Sequence, residues 1–298
     1  MSAKPNVCIV GSINMDLTVT TGKMPMQGET VLGDEFFTNP GGKGANQAVA
    51  AARMGADVSF IGAVGNDPFG KTLLDNLSSE GIRTEGIEMI PESATGTATI
   101  ILSENDNRII VAPGSNNDVT PGAVAKHRDL IKNSDIVLLQ LEVPMETIVS
   151  TVKTAHAAGV PVILNPAPFQ PLPEDILETV AYLTPNEIEL ASLQNDPLFA
   201  SIKQKSIVTR GDQGVSFVDN GTEREVGGYR VQVQDTTGAG DTFNGALAAE
   251  IARGATLEDA VNMANAAAAL SVEKIGAQGG MPTKQEVKTF LQERNNSE

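Results

Sequence analysis

Short apolar runs alternate with longer helical patterns along most of this chain, and this alternation constrains the fold more than any other feature of the sequence. The apolar runs cover residues 7–10, 58–64, 136–141, 160–164, 180–183 and 207–209. Helical patterns lie between them at 44–54, 68–79, 121–132 and 145–158, and two alanine-rich ones follow at 241–253 and 257–274. Short runs that are apolar throughout are typical of parallel strands covered on both faces. The alternation therefore predicts an α/β protein with a mainly parallel sheet.

Two stretches, 15–37 and 97–111, interrupt this alternation. Each contains two apolar segments around a polar turn: 17–20 and 29–32 in the first, and 98–102 and 108–111 around 104–107 in the second. Such patterns are typical of β-hairpins. Because a hairpin alone buries no face, we expect the two to pair into a small accessory sheet over the ligand-binding edge of a main domain formed by 1–14, 38–96 and 112–298. A lid, a structural flap and a dimer clasp all fit such a sheet.

The charge balance disfavours two classes of partner. The 298 residues contain 21 Lys and Arg against 37 Asp and Glu, a net charge of −16, and such a field repels nucleic-acid backbones and anionic membranes. The sequence contains no apolar segment of the roughly 18 residues that a membrane-spanning helix needs, and no signal-peptide pattern. The single cysteine, Cys8, lies in an apolar run and suits a reducing compartment as a small buried hydrophobe. We therefore expect a cytoplasmic protein with neither a nucleic-acid nor a membrane partner.

A glycine-rich segment opens directly into a helical pattern, and it reads Asn39-Pro40-Gly41-Gly42-Lys43-Gly44-Ala45-Asn46-Gln47. Glycines at a helix start let a ligand approach the backbone closely and present free N–H groups. The segment matches neither a P-loop nor the G-x-G-x-x-G fingerprint. Lys43 and Asn46, one helical turn apart, add donors for hydroxyls or an anion. Taken alone, such a segment is structural about as often as functional.

A second glycine-rich segment precedes another helical pattern and reads Asp235-Thr236-Thr237-Gly238-Ala239-Gly240-Asp241-Thr242-Phe243. Consecutive N–H groups at such a helix start form an anion cradle that the helix dipole strengthens. Asp241 places a carboxylate at the edge of that cradle, so a phosphate and a base would meet there. Asp241 suits a plain helix cap equally well, and Asp235 suits a turn.

Three further polar segments follow predicted strands. In Thr184-Pro185-Asn186-Glu187-Ile188-Glu189, Asn186 and Glu189 share a helix face, which suits hydrated Mg²⁺ with phosphates, although this pattern is more often a capping box. Thr209-Arg210-Gly211-Asp212-Gln213-Gly214 is a glycine-flanked turn that suits a nucleotide or an ordinary connection. Gly11-Ser12-Ile13-Asn14-Met15-Asp16 offers Asn14 and Asp16 for binding hydroxyls or for a polar turn.

In this order, the five segments resemble the ribokinase-like (PfkB) family of carbohydrate kinases over nearly the whole chain, and the two glycine-rich segments are the most specific part of the likeness. The resemblance implies a three-layer α/β/α fold with a small β-sheet lid. It also implies transfer of the γ-phosphoryl group of MgATP to a sugar, with the 5-hydroxyl of D-ribose as the favoured acceptor. The nearest alternatives are related kinases that act on deoxyribose, a ketose or a nucleoside.

The resemblance implies roles for individual residues. Asp241 falls on the catalytic base, and the N–H groups of Gly238, Ala239, Gly240 and Asp241 fall on the anion hole for the transferring phosphoryl group. The family's sugar-binding positions match Asn14, Asp16, Gly42, Lys43, Asn46 and Glu142, together with Asp241. Its nucleotide-contacting positions match Asn186, Glu189, Thr209, Arg210, Gly211, Asp212, Gln213, Gly214, Gly240 and Asn265. With no Trp and 4% aromatic residues, hydrogen bonding suits sugar recognition better than ring stacking.

Two metal ions are implied in the same way. Asn186 and Glu189 match the family's N-x-x-E pattern for Mg²⁺ and phosphate. An activating potassium ion beside the anion hole is implied by Asp235, Thr237, Ser271, Lys274, Gly276 and Gly280, several of them through backbone carbonyls. The chain departs from the family between Asn186 and Thr209, where members usually carry more residues and an additional helix. We expect this loss to trim a peripheral helix and to leave the site residues in place.

The same patterns disfavour two other classes of function and indicate an oligomeric state. A non-catalytic sugar or nucleotide sensor would keep the pocket but would not need Asp241 as a base at an anion hole. A nicotinamide-dependent oxidoreductase is disfavoured because Gly11-Ser12-Ile13-Asn14, after the first strand, lacks the glycine fingerprint. Exposed hairpin edges in the lid favour a homodimer.

Overall fold

The computed structural model describes residues 4–103 and 106–295. The strands are β1 (Asn6–Val10), β2 (Asn14–Thr20), β3 (Glu35–Gly41), β4 (Asp57–Gly65), β5 (Arg83–Ile90), β6 (Gly96–Ser103), β7 (Asp106–Ala112), β8 (Ile136–Leu139), β9 (Val162–Leu164), β10 (Tyr182–Leu183), β11 (Ile207–Thr209), β12 (Val215–Asp219) and β13 (Thr222–Val226). The helices are α1 (Lys43–Arg53), α2 (Pro68–Ser79), α3 (Pro121–Lys126), α4 (Arg128–Lys132), α5 (Met145–Ala157), α6 (Glu174–Thr179), α7 (Glu187–Ser192), α8 (Phe199–Lys205), α9 (Ala239–Ala252), α10 (Leu257–Ser271), α11 (Ala277–Gly280) and α12 (Lys284–Asn295). Short 3₁₀ helices occur at Gly114–Asp118 and Gly211–Gln213.

The central sheet has six parallel strands in the order β10-β9-β8-β1-β4-β5. All of β8, and all of β1 after its first residue, are buried, as expected of strands with helices on both faces. Two isolated parallel bridges, Leu183–Ser206 and Asn186–Thr209, continue the sheet from β10 to β11. Beyond them the order is β11-β12-β13, with antiparallel pairs. The predicted α/β class with a mainly parallel sheet is confirmed.

Helices cover both faces of this sheet and complete the predicted three layers. On one face, α1, α9 and α10 form a core that is rich in alanine. On the other face, Ile148 and Val152 of α5 and Ile176 of α6 pack with the strands. The small side chains let α1 and α9 approach so closely that a Cβ on Gly245 would lie 2.4 Å from the carbonyl oxygen of Gln47. This contact holds the start of α1 against the start of α9, where the two glycine-rich segments lie.

A smaller sheet has four strands in the order β3-β2-β6-β7. The pairs β2–β3 and β6–β7 are antiparallel, and the two hairpins join through a parallel β2–β6 pairing. The two stretches that interrupt the helical alternation therefore do form one accessory sheet. Two residues of the predicted second turn, 104 and 105, lie outside the described residues.

The prediction of a strand at 29–32 is wrong, because the hairpin partner of β2 is β3. Leu32 is 92% exposed and Met26 is 78% exposed, so the loop between β2 and β3 buries no apolar face that would hold it in a sheet. Pro40 and Gly41 make β3 hard to identify from the sequence, because proline and glycine are unusual inside strands. They are tolerated because β3 is an edge strand, where a proline removes no necessary hydrogen bond.

Two helix predictions also need correction. The 121–132 pattern forms α3 and α4 rather than one helix, because His127 (φ −104°, ψ 17°) leaves helical geometry between them. The last predicted alanine-rich helix ends at Ser271 rather than at Lys274, and the residues that follow form a loop. Among the helices in residues 4–103 and 106–295, none combines the length and the apolar character that crossing a membrane requires.

Candidate active site

Asp241 lies in the first turn of α9 and is buried. Its two carboxylate oxygens accept hydrogen bonds from adjacent side chains of α1: Oδ1 from Gln47 Nε2 and Oδ2 from Asn46 Nδ2, each at 3.0 Å. Burial raises the pKa of Asp241, while the Lys43 ammonium and the two amides act in the opposite direction. The carboxyl group is therefore held in one orientation, and competing effects set its pKa.

Gly42 and Gly44, at the start of α1, bring this helix against the turn that follows β1. Gly42 has φ of +88°, and a Cβ on it would lie 2.7 Å from the Asn14 nitrogen. A Cβ on Gly44 would lie 2.6 Å from the Ser12 nitrogen. The Ser12 carbonyl also accepts a hydrogen bond from the Ala45 N–H at 2.9 Å. These close approaches place the first sequence segment and the first glycine-rich segment on one surface.

Asn14 and Asp16, both on β2, lie beside the glycines that precede α1. Asn14 Oδ1 accepts from Asn116 Nδ2 at 2.7 Å, and Asn116 Oδ1 accepts from the Ile13 N–H at 2.9 Å. A Cβ on Gly41 would lie 2.3 Å from the Asp16 carboxylate, so the glycine makes room for that group. Burial, followed by the Glu142 and Asp241 carboxylates, raises the pKa of Asp16 to about 7 against the opposing effect of Lys43.

Lys43 is the cation that these carboxylates share. Glu142 Oε2 accepts from the Lys43 backbone N–H at 3.1 Å and from Ser12 Oγ at 2.6 Å. Burial by itself lowers the pKa of the Lys43 ammonium, but the surrounding carboxylates raise it overall, and in decreasing order of effect these are Asp241, Glu142, Glu189 and Asp16. A positive charge is thus maintained at the site of a protein whose net charge is −16.

Two cavities border the loop that leads into α9. The first cavity, of about 690 Å³, lies between the accessory sheet and this loop, and its lining includes Asp16, Asn39, Asp235 and Thr237. The second cavity has a volume of about 730 Å³, and its lining includes six of the predicted nucleotide-contacting residues: Thr209, Gly211, Asp212, Gly214, Gly240 and Asn265. Val233 and Thr236 line both cavities. We call the first the sugar-side cavity and the second the nucleotide-side cavity.

Four predicted nucleotide-contacting residues fall outside the described lining of the nucleotide-side cavity: Asn186, Glu189, Arg210 and Gln213. Arg210 pairs instead with Glu225 of β13 at 3.0 Å. Asn186 and Glu189 form a capping box on α7, in which Asn186 Oδ1 accepts from the Glu189 N–H at 2.8 Å and Glu189 Oε2 accepts from the Asn186 N–H at 2.9 Å. Burial raises the pKa of Glu189, while the hydrogen bond from the Asn186 N–H and the Lys43 charge act in the opposite direction, so Glu189 lies within electrostatic reach of Lys43.

The residues predicted for a potassium ion come together beside the same loop. Asp235 Oδ1 accepts from the Thr237 N–H at 2.9 Å, and Oδ2 accepts from the Gly276 N–H at 2.8 Å. Burial alone would raise the pKa of Asp235, but these hydrogen bonds lower it overall. A Cβ on Gly280 would lie 2.1 Å from the Ser271 carbonyl oxygen and 3.5 Å from that of Lys274. The Ser271 and Lys274 carbonyl oxygens therefore lie beside Gly280, and Asp235 is joined to the same loop through Gly276. Carbonyl and carboxylate oxygens are donors that suit a monovalent cation.

Sequence reasoning missed five buried amide side chains that support the site: Gln47, Asn116, Gln140, Asn165 and Gln278. Gln278 Nε2, for example, donates to Asn46 Oδ1 at 3.0 Å. Gln47 had a local signal, because it directly follows Asn46 in the first glycine-rich segment. The other four follow no local pattern, since their partners lie far away in the sequence.

Comparison with known proteins places this site in a family. A model of the pfkB family of carbohydrate kinases matches residues 4–284. The ribokinase of Bacillus subtilis (strain 168) is 46% identical over 290 residues, which are 96% of this chain and 99% of that protein. The chain belongs to the pfkB family of carbohydrate kinases.

Solved structures give the same result for the fold. The ribokinase from Thermotoga maritima has a TM-score of 0.88 at 35% identity, and the match covers 96% of this chain and 99% of that one. The Arabidopsis thaliana ribokinase complexed with ribose and ATP has a TM-score of 0.89 at 32% identity, over 97% and 99% of the two chains. The expected three-layer fold with a small accessory sheet is confirmed, as is the expected class of enzyme, a phosphotransferase with an alcohol group as acceptor.

Proposed function

We propose that this chain transfers the γ-phosphoryl group of MgATP to the 5-hydroxyl of D-ribose, giving D-ribose 5-phosphate and ADP. One observation carries the proposal: Asp241, held by two amides, lies in the first turn of α9, directly after the loop that lines both cavities. The choice of sugar is supported by relatives that are ribokinases, one of them complexed with ribose and ATP.

In the proposed reaction, Asp241 is the general base. The sugar oxygen bonds to the γ-phosphorus, its proton passes to Asp241, and the bond from that phosphorus to the ADP oxygen breaks. The N–H groups of Gly240 and Asp241 stabilise the charge on the transferring group, because first-turn amides have no acceptor within their helix. The Ala239 N–H donates to the Thr236 carbonyl at 3.2 Å, so we expect it to shape the loop, and its part in the anion hole and that of Gly238 stay predictions.

We assign sugar binding to Asn14, Asp16, Gly42, Lys43, Asn46 and Glu142. Several of these side chains are already fixed, Asn14 by Asn116 and Glu142 by Ser12. Fixed donors and acceptors favour a ligand rich in hydroxyls, because an unmatched ligand leaves buried polar groups without partners. The sugar-side cavity also has an apolar wall that includes Phe37, Ile100 and Ile109. A nucleoside base would fit such a wall, so a nucleoside is the alternative acceptor to test.

We assign ATP to the nucleotide-side cavity. Its glycine-rich turn includes Gly214 with φ of +94°, and Asn265 Nδ2 holds the adjacent loop by donating to the Gly227 carbonyl at 2.9 Å. Lys43 and the start of α9 supply the positive charge that a triphosphate needs. Contacts of Arg210 and Gln213 with the nucleotide stay predictions.

Mg²⁺ and potassium complete the proposal. The capping box occupies Asn186 Oδ1 and Glu189 Oε2, so Asn186 and Glu189 fit Mg²⁺ through bound water, which this ion usually retains. Mg²⁺ would neutralise phosphate charge. The carbonyl groups near Gly280, with Asp235, fit potassium, which would add positive charge beside the anion hole.

We further propose that the accessory sheet is both a lid and a dimer interface. Asp16, Thr18 and Phe37 on one face line the sugar-side cavity. Phe36 and Ile110, on the opposite face, are 65% and 68% exposed, and large exposed apolar groups on one surface favour an interface. Sedimentation of the parent and of the Phe36→Ser, Ile110→Ser double variant tests the homodimer. A cytoplasmic location stays a prediction.

A coupled assay of ADP release tests the reaction. The panel contains D-ribose, 2-deoxy-D-ribose, D-fructose, adenosine and 5-deoxy-D-ribose, each with MgATP, with and without potassium chloride. We expect the highest kcat/KM with ribose and stimulation by potassium. We expect 5-deoxy-D-ribose to inhibit without being phosphorylated, since it lacks the acceptor hydroxyl.

The panel distinguishes the alternatives. A higher kcat/KM with another sugar or with adenosine overturns ribose as substrate while the reaction class stands. A protein that binds ribose and ATP calorimetrically but releases no ADP with any acceptor is a sensor, and the proposed reaction then fails.

A further inference from the structure

A chain of buried amides leads from Asp241 into the protein. Gln47, which is fully buried, donates through Nε2 to Asp241 Oδ1 at 3.0 Å and to Asn165 Oδ1 at 3.2 Å. Gln47 Oε1 accepts from Gln140 Nε2 at 2.6 Å. Both hydrogens and the oxygen of the Gln47 amide are therefore engaged.

A backbone carbonyl sets the direction of these hydrogen bonds. Asn165 Nδ2 donates to the Thr184 carbonyl oxygen at 3.0 Å, and a carbonyl oxygen can only accept. Asn165 must therefore present its own oxygen to Gln47. Gln47 must in turn present its NH₂ group to Asn165 and to Asp241, because an inverted amide would set its oxygen against two other oxygens.

We propose that Gln47 is a positioning residue for phosphoryl transfer: anchored by Asn165 and Gln140, its NH₂ group fixes the Asp241 carboxylate and keeps it in the ionised form that accepts the hydroxyl proton. This inference rests on the proposed function and deepens it. Gln47 is fully buried, and its NH₂ group is already engaged by Asp241 and Asn165, so it acts through Asp241 rather than on a ligand.

Asp241 needs this support because burial, the largest influence on its pKa, favours the protonated form. Burial raises its pKa, and so does Glu142 from the loop after β8, while Lys43 and the Gln47 and Asn46 amides of α1 lower it. Asp16 on β2 adds a further like charge. A protonated Asp241 accepts no proton from an alcohol, so losing the Gln47 amide raises the pH at which the base becomes active.

The test is the Gln47→Met variant, which removes the amide at similar side-chain length. We expect the acid limb of the kcat–pH profile to move up by about one unit, as the loss of a hydrogen bond to a charged group implies. Below that limb kcat falls roughly tenfold, and at higher pH it recovers to near the parent value, because one pKa unit is a tenfold change in ionisation. The KM for the sugar stays within about twofold, because Gln47 contacts Asp241 and not the ligand.

Gln140→Met is the matched control, since Gln140 is equally buried and hydrogen-bonds to Gln47 rather than to Asp241. We expect it to lower the melting temperature about as much as Gln47→Met but to move the acid limb by much less, because it removes one anchor of Gln47 and leaves the hydrogen bond to Asp241 in place. Identical pH profiles in the two variants would mean that Gln47 is merely structural.

A second readout does not depend on catalysis. Titration of the Asp241 side-chain carbon by ¹³C NMR, assigned with Asp241→Asn, gives its pKa directly in the parent and in Gln47→Met. If the parent phosphorylates no sugar, the proposed function fails, while this titration still decides whether Gln47 controls Asp241. If Gln47→Met does not fold, Asn165→Ser removes one anchor and should raise the same pKa by a smaller amount. An unshifted Asp241 titration in the folded variant overturns the inference.

Discussion

The two cavities beside the loop into α9 are similar in volume, about 690 and 730 Å³, but different kinds of chemical group line them. Side chains such as Asp16, Asn39 and Asp235 line the sugar side. Close to Asp16, Asn116 fixes Asn14 and two amides fix Asp241. Glycines and backbone dominate the nucleotide side, where Gly211, Gly214, Gly228 and Gly240 contribute to the lining.

This difference matches what each side has to recognise. Fixed side-chain donors and acceptors discriminate between hydroxyl patterns, because a mismatch leaves a buried polar group unpaired. Backbone N–H groups and a helix start bind phosphate without contacting the rest of the ligand. We therefore expect substitutions on the sugar side and at the intervening loop to have the largest effects, and side-chain substitutions on the nucleotide side to have the smallest.

The largest effect is expected from Asp241→Asn, which removes the base with little change of shape. Steady-state assays should give a kcat lower by about 10² to 10⁴, the usual contribution of a general base. Calorimetry should find ribose and ATP affinities close to those of the parent. Turnover within tenfold of the parent would remove Asp241 from this role.

Gly238→Ala, in the loop between the cavities, should have the next largest effect. Gly238 has φ of +78°, and a Cβ on it would lie 2.8 Å from the Ala277 Cα, so the loop must shift. We expect kcat to fall by about 10² or more, as when an anion-hole donor is displaced. Gly279→Ala is the control, since a Cβ there meets no described atom within 4 Å, and equal losses in the two variants would contradict a specific role for the loop.

On the sugar side, the pKa of about 7 for Asp16 predicts a pH-dependent KM. If the sugar binds to ionised Asp16, the KM for ribose should fall roughly tenfold between about pH 6 and pH 8, as the ionised fraction rises. Asp16→Asn should abolish this dependence. A parent KM that is constant with pH would contradict binding through the ionised form.

The same shift has a consequence for stability. The folded-state pKa of Asp16 lies above its unfolded value of about 4, so between about pH 4 and pH 7 the folded protein binds more protons than the unfolded chain. The free energy of unfolding therefore falls as pH rises through this range. Ligand-free Asp16→Asn should therefore melt at a higher temperature than the parent at pH 8. The two proteins should be close to equal at pH 4, which differential scanning calorimetry can measure.

The smallest effect is expected from Asn265→Ala on the nucleotide side. Its side chain donates to the Gly227 carbonyl at 2.9 Å, and losing one such hydrogen bond costs about 1 kcal/mol. The KM for ATP should rise about fivefold while the KM for ribose is unchanged. An equal rise in the KM for ATP and the KM for ribose would show that a substitution on the nucleotide side also affects the sugar side.

Much of the fold could be predicted because it depends on local patterns. The apolar runs identify the parallel strands, since burial on both faces leaves them continuously hydrophobic. One local signal was overlooked: Asn220-Gly221 joins β12 to β13, and both residues have positive φ, 50° and 77°, as a tight hairpin requires. By contrast, nothing local identifies β3, because its Pro40 is tolerated only at the edge that the sheet order creates.

The same division holds in the site. The two glycine-rich segments and the position of Asp241 at a helix start could be read from the sequence, because backbone conformation near glycine is set by neighbouring residues. The side-chain partners could not be read in this way, since Gln47 and Asn165 are 118 residues apart and Gln278 and Asn46 are 232 apart. Similarly, Arg210 pairs with Glu225 of β13 and is absent from the described lining of the cavity that its position in the turn suggests. Hydrogen bonds between distant residues depend on which helices and strands pack together, and only the folded chain decides that.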